Sequence, residues 1–390
     1  MKKRIFLDYA SSTPVDTAVF REMVPYLKTV YGNPSSIHSF GQKTRAVIEE
    51  SRSRVASFLH TSPQEIIFTG GATESNTLAV QGVAHKKRKG GKPHIIISSI
   101  EHESVRGACE TLRERGEVTI TELPVSPEGL VDLKEVARAL REETVLVSVC
   151  YVNSVIGTVQ SIAEIGGILA KKKNRWGEKV LFHTDAVQAA HYQDCNTQEL
   201  KVDLLTLSAH KIYGPKGVGV LFVRNGVGIS PLQRGGGQEQ GMRSGTENVP
   251  GIVGMGKALQ KIGSPERRVM NIRIRQARDR LVRGVLRGIK GSVLVGSAEK
   301  RAENNAYIRF PGVAGADLVL ALDRKGIAVS TGSACSEQTQ GSPHVLNALG
   351  IGEKESREGV RITLGKYTTV SEAETAVKEI IRAVSLLSRL

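Results

Sequence analysis

EIIFTG (65–70), HIIISS (94–99), TVLVSVCYV (144–152), KVLFHTD (179–185), VDLLTLSA (202–209) and GVGVLFV (217–223) are short, β-rich apolar runs separated by amphipathic, helix-like stretches. That alternation predicts an α/β fold: a mostly parallel sheet with helices on both faces. The runs are almost continuously apolar, as expected of strands covered on both sides. A glycine-rich connector, RGGGQEQGMRSGT (234–246), follows, and a long basic helix pattern opens at SPERR (264–268), with a proline at its start. Beyond it SVLVG (292–296), YIRF (307–310), ADLVLALDRKG (316–326), VRITLG (360–365) and SEAETAVKEIIRAVSLLS (371–388) read as a smaller α+β unit. The boundary is set after residue 256.

A chain of 390 residues is long enough for two domains. Hydrophobic residues make up 40% and charged ones 24%, which places the chain with globular proteins and away from disordered or membrane classes. The start, MKKRIFLDYASS, has only a three-residue apolar run before Asp8, and no later run approaches the roughly 18 apolar residues of a membrane span. A cytoplasmic protein is expected. The four cysteines, Cys109, Cys150, Cys195 and Cys335, form no C-x-x-C pair, so neither a metal site nor a redox dithiol is expected. The formal charge is +15, carried by KKRKGGK (86–92), KKKNR (171–175) and the helical run 266–290. Spread in this way, without interleaved aromatics, these read as solvated faces, and no direct contact with nucleic acid is expected.

Three segments carry candidate chemistry. In SAHKIYGPKGVGVLFV (208–223) a strand ends in a polar turn bearing Lys211, at the strand end where ligands of open α/β sheets gather. A lysine there, partly buried, exposes its amine lone pair for Schiff-base formation. Alone it would be a surface residue. In FHTDAVQAA (182–190) Asp185 stands at another strand end, suited to a protonated pyridinium nitrogen, and Gln188 follows three residues later, within reach of a ring hydroxyl. Alone Asp185 would be a helix N-cap. The third segment, TGGATESNTLAV (69–80), passes from strand through a glycine turn to a helix start that favours phosphate, with the Thr73 hydroxyl beside it. It is neither a nucleotide P-loop nor a dinucleotide fingerprint. Together the three point to pyridoxal phosphate (PLP).

The chain resembles the cysteine desulfurases of the NifS/IscS-like group, within the aminotransferase class V family of fold-type I PLP enzymes. The resemblance runs nearly end to end, on LDYASSTPVD (7–16), YGNPSSIH (31–38), GATESN (71–76), SSIEHESV (98–105), YVNSVIGTVQ (151–160), HTDAVQ (183–188), SAHKIYGPKGVG (208–219), GGGQEQGMRSGTENV (235–249), STGSACSEQ (330–338) and VRITLGKYTT (360–369). It implies a large PLP-binding domain over 16–256, with a seven-stranded sheet, and a small domain formed by 1–15 and 257–390 that carries the catalytic cysteine. Lys211 becomes the Schiff-base lysine, Asp185 the pyridinium partner, Gln188 the ring-oxygen contact, and His102 the group that stacks on the ring and moves protons. Thr73, Ser208 and His210 would bind the phosphate, with Thr246 reaching that site from the other subunit of a homodimer. Asn153 and Arg361 would hold the substrate carboxylate, Arg361 through its planar fork.

Cys335 decides the implied reaction. It lies in STGSACSEQTQGSPHVLNALG (330–350), which reads as an exposed, mobile loop. A thiol there can take sulfur from cysteine as a persulfide, leave alanine, and pass the sulfur on. Cys109 and Cys150, among apolar neighbours, read as inert core, and Cys195, in QDCNTQ, as the other exposed thiol. The resemblance implies sulfur supply for iron–sulfur clusters or tRNA thiolation through an acceptor protein. A selenocysteine lyase or another class V enzyme is the alternative, and it predicts activity without Cys335. Two departures stand out. Ser154 and Val155 replace the usual Asn-Glu after Asn153, altering hydrogen bonding near the substrate pocket. The sequence ends at Leu390 without the extension that engages an iron–sulfur scaffold.

Overall fold

The computed structural model describes residues 4–332 and 344–389. Twelve strands are formed: β1 (Ile5–Phe6), β2 (Ile66–Thr69), β3 (His94–Ser98), β4 (Thr119–Leu123), β5 (Thr144–Ser148), β6 (Leu181–Asp185), β7 (Leu204–Ser208), β8 (Gly219–Val223), β9 (Val293–Val295), β10 (Asn305–Arg309), β11 (Ile327–Ala328) and β12 (Gly359–Thr363). The seven-stranded sheet has the order β2-β8-β7-β6-β5-β3-β4, and only β8 runs against the rest. Each of the six apolar runs of the sequence contains one of its strands. The seventh, β4, has no such run in the sequence, because at the sheet edge TITEL keeps four of its five residues partly or fully exposed. It lacks the continuous apolar run that marks β3, β5, β6 and β7, every residue of which is buried.

The two faces of this sheet bury separate clusters. One gathers Phe68, Phe182, Phe222, Leu205 and Leu207 against helices Ser39–Leu59 and Val249–Ile262. The other gathers Ile67, Ile95, Ile97, Leu146 and Leu204 against helices Ala72–Ala84 and Glu103–Glu114. Covering both faces is what makes the strand sequences apolar throughout. A second sheet, β12-β10-β9, is antiparallel and packs on helices Glu266–Gly288 and Val370–Leu387. In the contact between these helices Gly284 and Gly288 leave room for Val377 and Ile381. The boundary expected after residue 256 falls inside helix Val249–Ile262, which packs on helices Thr17–Lys28 and Ser39–Leu59. We propose a large unit around the first sheet, including that helix, and a small unit around the second.

The N-terminal segment joins the two. β1 pairs with β11 in a parallel ribbon, Tyr9 and Ala10 then donate to Thr363, and Thr13 and Asp16 donate to the carbonyls of His210 and Tyr213. Residues 7–16 thus run from the small unit to the end of β7, passing over the Lys211 turn.

The glycine-rich connector is anchored by a buried ion pair. Arg52 donates from both terminal nitrogens to Glu239, at 2.9 Å each, and to the Ile66 carbonyl at 2.8 Å, while Glu239 also accepts from Phe68 N–H at 2.7 Å. Glu239 and Gln240 take positive φ, 47° and 59°, a conformation that the side-chain anchor must compensate. Removing one member of such a pair strands a buried charge. Arg52→Leu should therefore lower unfolding free energy by about 3–5 kcal/mol in urea denaturation, and the double variant Arg52→Leu/Glu239→Leu should lose less than the single one.

Candidate active site

The carboxyl ends of β3, β5, β6 and β7 open onto one cavity of about 1010 Å³, covered by Ala10–Ser12 and bordered by helix Ala72–Ala84. Thr73, His102, Asn153, Asp185, Gln188, Ser208, His210, Lys211 and Arg361 all line it. Residues up to 288 positions apart in the chain are brought together here: the ends of the parallel strands supply most of them, helix Ala72–Ala84 supplies Thr73, and β12 of the second sheet supplies Arg361.

Asp185 closes β6 and is buried. Its Oδ1 accepts from Val187 N–H at 3.0 Å and its Oδ2 from Asn76 Nδ2 at 2.8 Å. The same Asn76 nitrogen donates to Ser104 Oγ at 2.8 Å, and Ser104 Oγ lies 2.8 Å from His102 Nδ1. Ser104 N–H also donates to His102 Nδ1, at 3.1 Å, which caps helix Glu103–Glu114 and makes that nitrogen an acceptor. Neutral His102 therefore carries its proton on Nε2. A continuous chain of hydrogen bonds links Asp185 to His102. Asn76 and Ser104 lie inside the GATESN and SSIEHESV segments, yet sequence reading assigned them no role; their residue types are ordinary helix-start residues, and only the fold puts them between the two functional groups.

Lys211 sits in the single turn Ala209–Lys211 after β7, and its ammonium donates to the carbonyls of Ala10 at 2.6 Å and Ser11 at 2.8 Å. Gln188 Nε2 donates to the same Ala10 carbonyl at 2.9 Å. His210 is held near neutral by burial and by the Lys211 and Lys216 ammonium groups, which lower its pKa to about 4. Thr73 occupies the first turn of helix Ala72–Ala84, which no side chain caps, and Gly71 before it has φ 155°. Gly219 of β8 lies so close to Gly71 that a Cβ would meet the Gly71 carbonyl carbon at 2.6 Å. Uncapped N–H groups, the helix dipole and the lysines Lys211 and Lys216 suit this end of the cavity to a phosphate, while Arg243 is engaged by Glu74 at 2.9 Å. A buried carboxylate at the floor, an amine beside it and an anion cradle at the rim fit PLP.

At the other end Arg361, from β12, donates to Asp8 Oδ1 at 2.9 Å and to the carbonyls of Ser154 and Gly332, while its buried Nε has no partner. Asn153 donates to the Ile100 carbonyl and accepts from Val155 and Ile156 N–H. The departure at Ser154 and Val155 is thus accommodated by main-chain groups, the N–H of Val155 and the carbonyl of Ser154. Thr246 is exposed and lies outside this cavity, and Cys335 lies outside the described residues. Cys109 and Cys150 are buried as expected, but Cys195 is not an exposed thiol: it is 1% accessible, packed with Leu200 and Val202, and burial raises its pKa to about 12. The polar residues around it serve the start of helix Thr197–Leu200: Asp194 accepts from Asn196 N–H and Asn196 from Gln198 N–H. Among the described residues no three His, Cys, Asp or Glu side chains cluster as metal ligands.

A family model for aminotransferase class-V matches residues 5–375. The chain belongs to that family. It is 43% identical to "Cysteine desulfurase IscS" of Dictyoglomus turgidum, covering 99% of this chain and 96% of the relative, and 42% identical to "Cysteine desulfurase IscS 1" of Archaeoglobus fulgidus, covering 98% and 99%. Among solved structures, a "NIFS-like protein" superposes with a TM-score of 0.90 at 36% identity over 99% of this chain and all of the other. "SspA in complex with cysteine" superposes at 0.81 with 34% identity, covering 94% of this chain and all of the other. The fold is that of the fold-type I PLP enzymes, and PLP is the cofactor.

Glu101, beside His102 in the sequence, also lines the cavity. Ser98 Oγ and Cys150 N–H both donate to its Oε1 at 2.6 Å, while Oε2 is buried without a partner. Burial raises its pKa to about 8, and nearby Asp185 adds to the rise. An acid protonated in the fold but not in the unfolded chain contributes stability that is complete below about pH 4.5 and is lost as pH rises to about 8. Between pH 6 and pH 8 the parent protein should lose roughly 2–3 kcal/mol more unfolding free energy than Glu101→Gln in urea titrations.

Proposed function

We propose that the chain is a cysteine desulfurase that converts L-cysteine to L-alanine and takes the sulfur onto Cys335 as a persulfide. One observation carries the reading: Lys211, Asp185 and His102, distant in sequence, converge on one cavity in a chain whose full-length relatives bear that name. The balance is simple. The substrate C–S bond breaks, an S–S bond forms with Cys335, and the proton of the Cys335 thiol offsets the one gained by alanine.

Bound PLP supplies the electron sink that acidifies the substrate α-carbon and lets its C–S bond break. The residues of the chain do the rest. Lys211 would hold the cofactor and, once displaced by substrate, serve as a base at the strand end. Asp185, oriented by the Asn76 amide and the Val187 N–H, would hold the ring-nitrogen proton. His102 would exchange a proton through Nε2, since Nδ1 is committed to Ser104. Gln188 would contact the ring oxygen, and Thr73, Ser208 and His210 the phosphate. Arg361, with an Nε still able to donate, and Asn153 would orient the substrate carboxylate. Replacing Cys335 by alanine should leave cofactor absorbance and cysteine binding intact while abolishing persulfide, measured with sulfur-labelled cysteine; Lys211→Ala should abolish turnover and the borohydride-reducible lysine linkage. Alanine release at the parent rate from Cys335→Ala would favour a lyase of the same family instead.

The working form is proposed to be a homodimer. Phe20, Val24, Leu27, Tyr31, Ile37 and Phe40 are exposed within 21 residues, Ile37 to 94%, and the neighbouring Pro34 and Ser35 share a groove with Gly236–Gln240 and Glu247, beside Thr246. A second copy covering this face would bury the apolar set and bring Thr246 to the phosphate end of its partner's cavity. Thr246→Ala should then weaken PLP retention in equilibrium dialysis without changing the sedimentation coefficient, and a monomer at assay concentration would refute the dimer. Delivery of sulfur to an acceptor protein for iron–sulfur clusters or thiolated tRNA, in the cytoplasm, completes the proposal. No helix among the described residues is long and apolar enough to cross a membrane.

A further inference from the structure

The basic runs 86–92 and 171–175, distant in sequence, are one surface in the fold. Trp176 Nε1 donates to the carbonyls of Lys89 and Gly90, at 3.0 and 3.2 Å, and its ring packs on Gly91. The guanidinium groups of Arg88 and Arg175 lie 5.7 and 6.0 Å from the ring centroid. Glu178, from the same small hairpin as Lys173 and Lys179, holds Lys86 at 2.7 Å and Arg88 at 2.8 Å. An aromatic therefore does lie among these charges, contrary to the sequence reading.

The pairing within this ridge is selective. Both arginines are engaged by carboxylates, Arg88 by Glu178 and Arg175 by Glu143. Lys87, Lys89, Lys92, Lys171, Lys172 and Lys173 are exposed and make no ion pair among the described residues. Like charges gathered on two abutting loops repel one another, and here the indole and Glu178 hold them together. Lysines bind phosphate as point charges, and these six have no carboxylate partner among the described residues, whereas Lys86, Arg88 and Arg175 are already paired. The ridge lies where β3 and β6 begin, while the cavity lies where they end. An acceptor engaging the cavity mouth would leave it uncovered. We propose that this ridge binds nucleic acid through its phosphate backbone, with Trp176 fixing the two loops and no reading of base sequence.

Trp176 is the chain's one tryptophan, so its emission reports on this ridge alone. The PLP-loaded protein is titrated with short poly(U) RNA and with poly(dT) DNA, following Trp176 emission and the anisotropy of a labelled oligonucleotide. Both ligands should bind and perturb Trp176; with about five phosphate contacts, doubling the salt should weaken binding about tenfold. The variant Lys171→Glu/Lys172→Glu/Lys173→Glu should lose binding by about tenfold or more while keeping parent cysteine turnover. If it does not fold, Lys87→Glu/Lys89→Glu on the other loop serves the same test. Absence of binding at low salt overturns the proposal. So does binding that leaves Trp176 emission unchanged, or that survives these variants but is lost in Arg283→Glu/Arg287→Glu on the exposed face of helix Glu266–Gly288. Displacement of the oligonucleotide by polyglutamate of equal charge would make an acidic protein the occupant and likewise refute it.

Discussion

A carboxylate buried at the end of a parallel strand must be met by donors, and meeting the needs of Asp185 organises the site. Its oxygens take the Asn76 amide and the Val187 N–H, and neither donor is a cation. The carboxyl is thereby oriented without an ion-pair partner, as a contact for a ring nitrogen requires. Because the Asn76 nitrogen is shared with Ser104, the orientation of His102 depends on the same contact. Helices Ala72–Ala84 and Glu103–Glu114, β6 and the cavity floor are tied together through one side-chain amide.

The roof obeys a second constraint. Lys211 and Gln188 both donate to the Ala10 carbonyl, so the N-terminal segment is positioned by the groups it covers. That segment also carries Asp8, the partner of Arg361 on β12. Residues 7–16 therefore connect the cofactor end of the cavity to its substrate end, and any shift of the small unit against the large one is felt at Lys211. Buried Arg301, which has no acidic partner among the described residues, donates to the carbonyls of Val295, Ser297 and Ile156 and so ties the segment after β9 to the loop that follows Asn153. Repulsion from Arg278 and above all burial lower its pKa to about 9.

Electrostatically the two ends of the sheet differ. At the carboxyl ends of the strands cations are few and individually placed, and the titratable groups are pushed toward neutral forms: His210 by burial beside Lys211, Glu101 by burial. At the amino ends, lysines crowd a solvent-facing ridge where high dielectric makes their proximity tolerable. The net charge of +15 is therefore not a uniform coat.

Sequence alone determined the α/β class, because strands covered on both faces cannot avoid continuous apolar runs, and its ordered motifs singled out Lys211, Asp185, His102 and six further residues that the fold places around one cavity. It missed β4, whose edge position leaves polar residues in place, and it misjudged Cys195, whose polar neighbours say nothing of the leucine and valine that cover it. Asn76, Ser104 and the Glu101 carboxyl were present in quoted motifs, yet their roles are pairwise distances between segments, which no local pattern encodes. The same reason hid the basic ridge: KKRKGGK and KKKNR are separated by about eighty residues, and only the indole of Trp176, donating to carbonyls of the first from beside the second, makes them one surface.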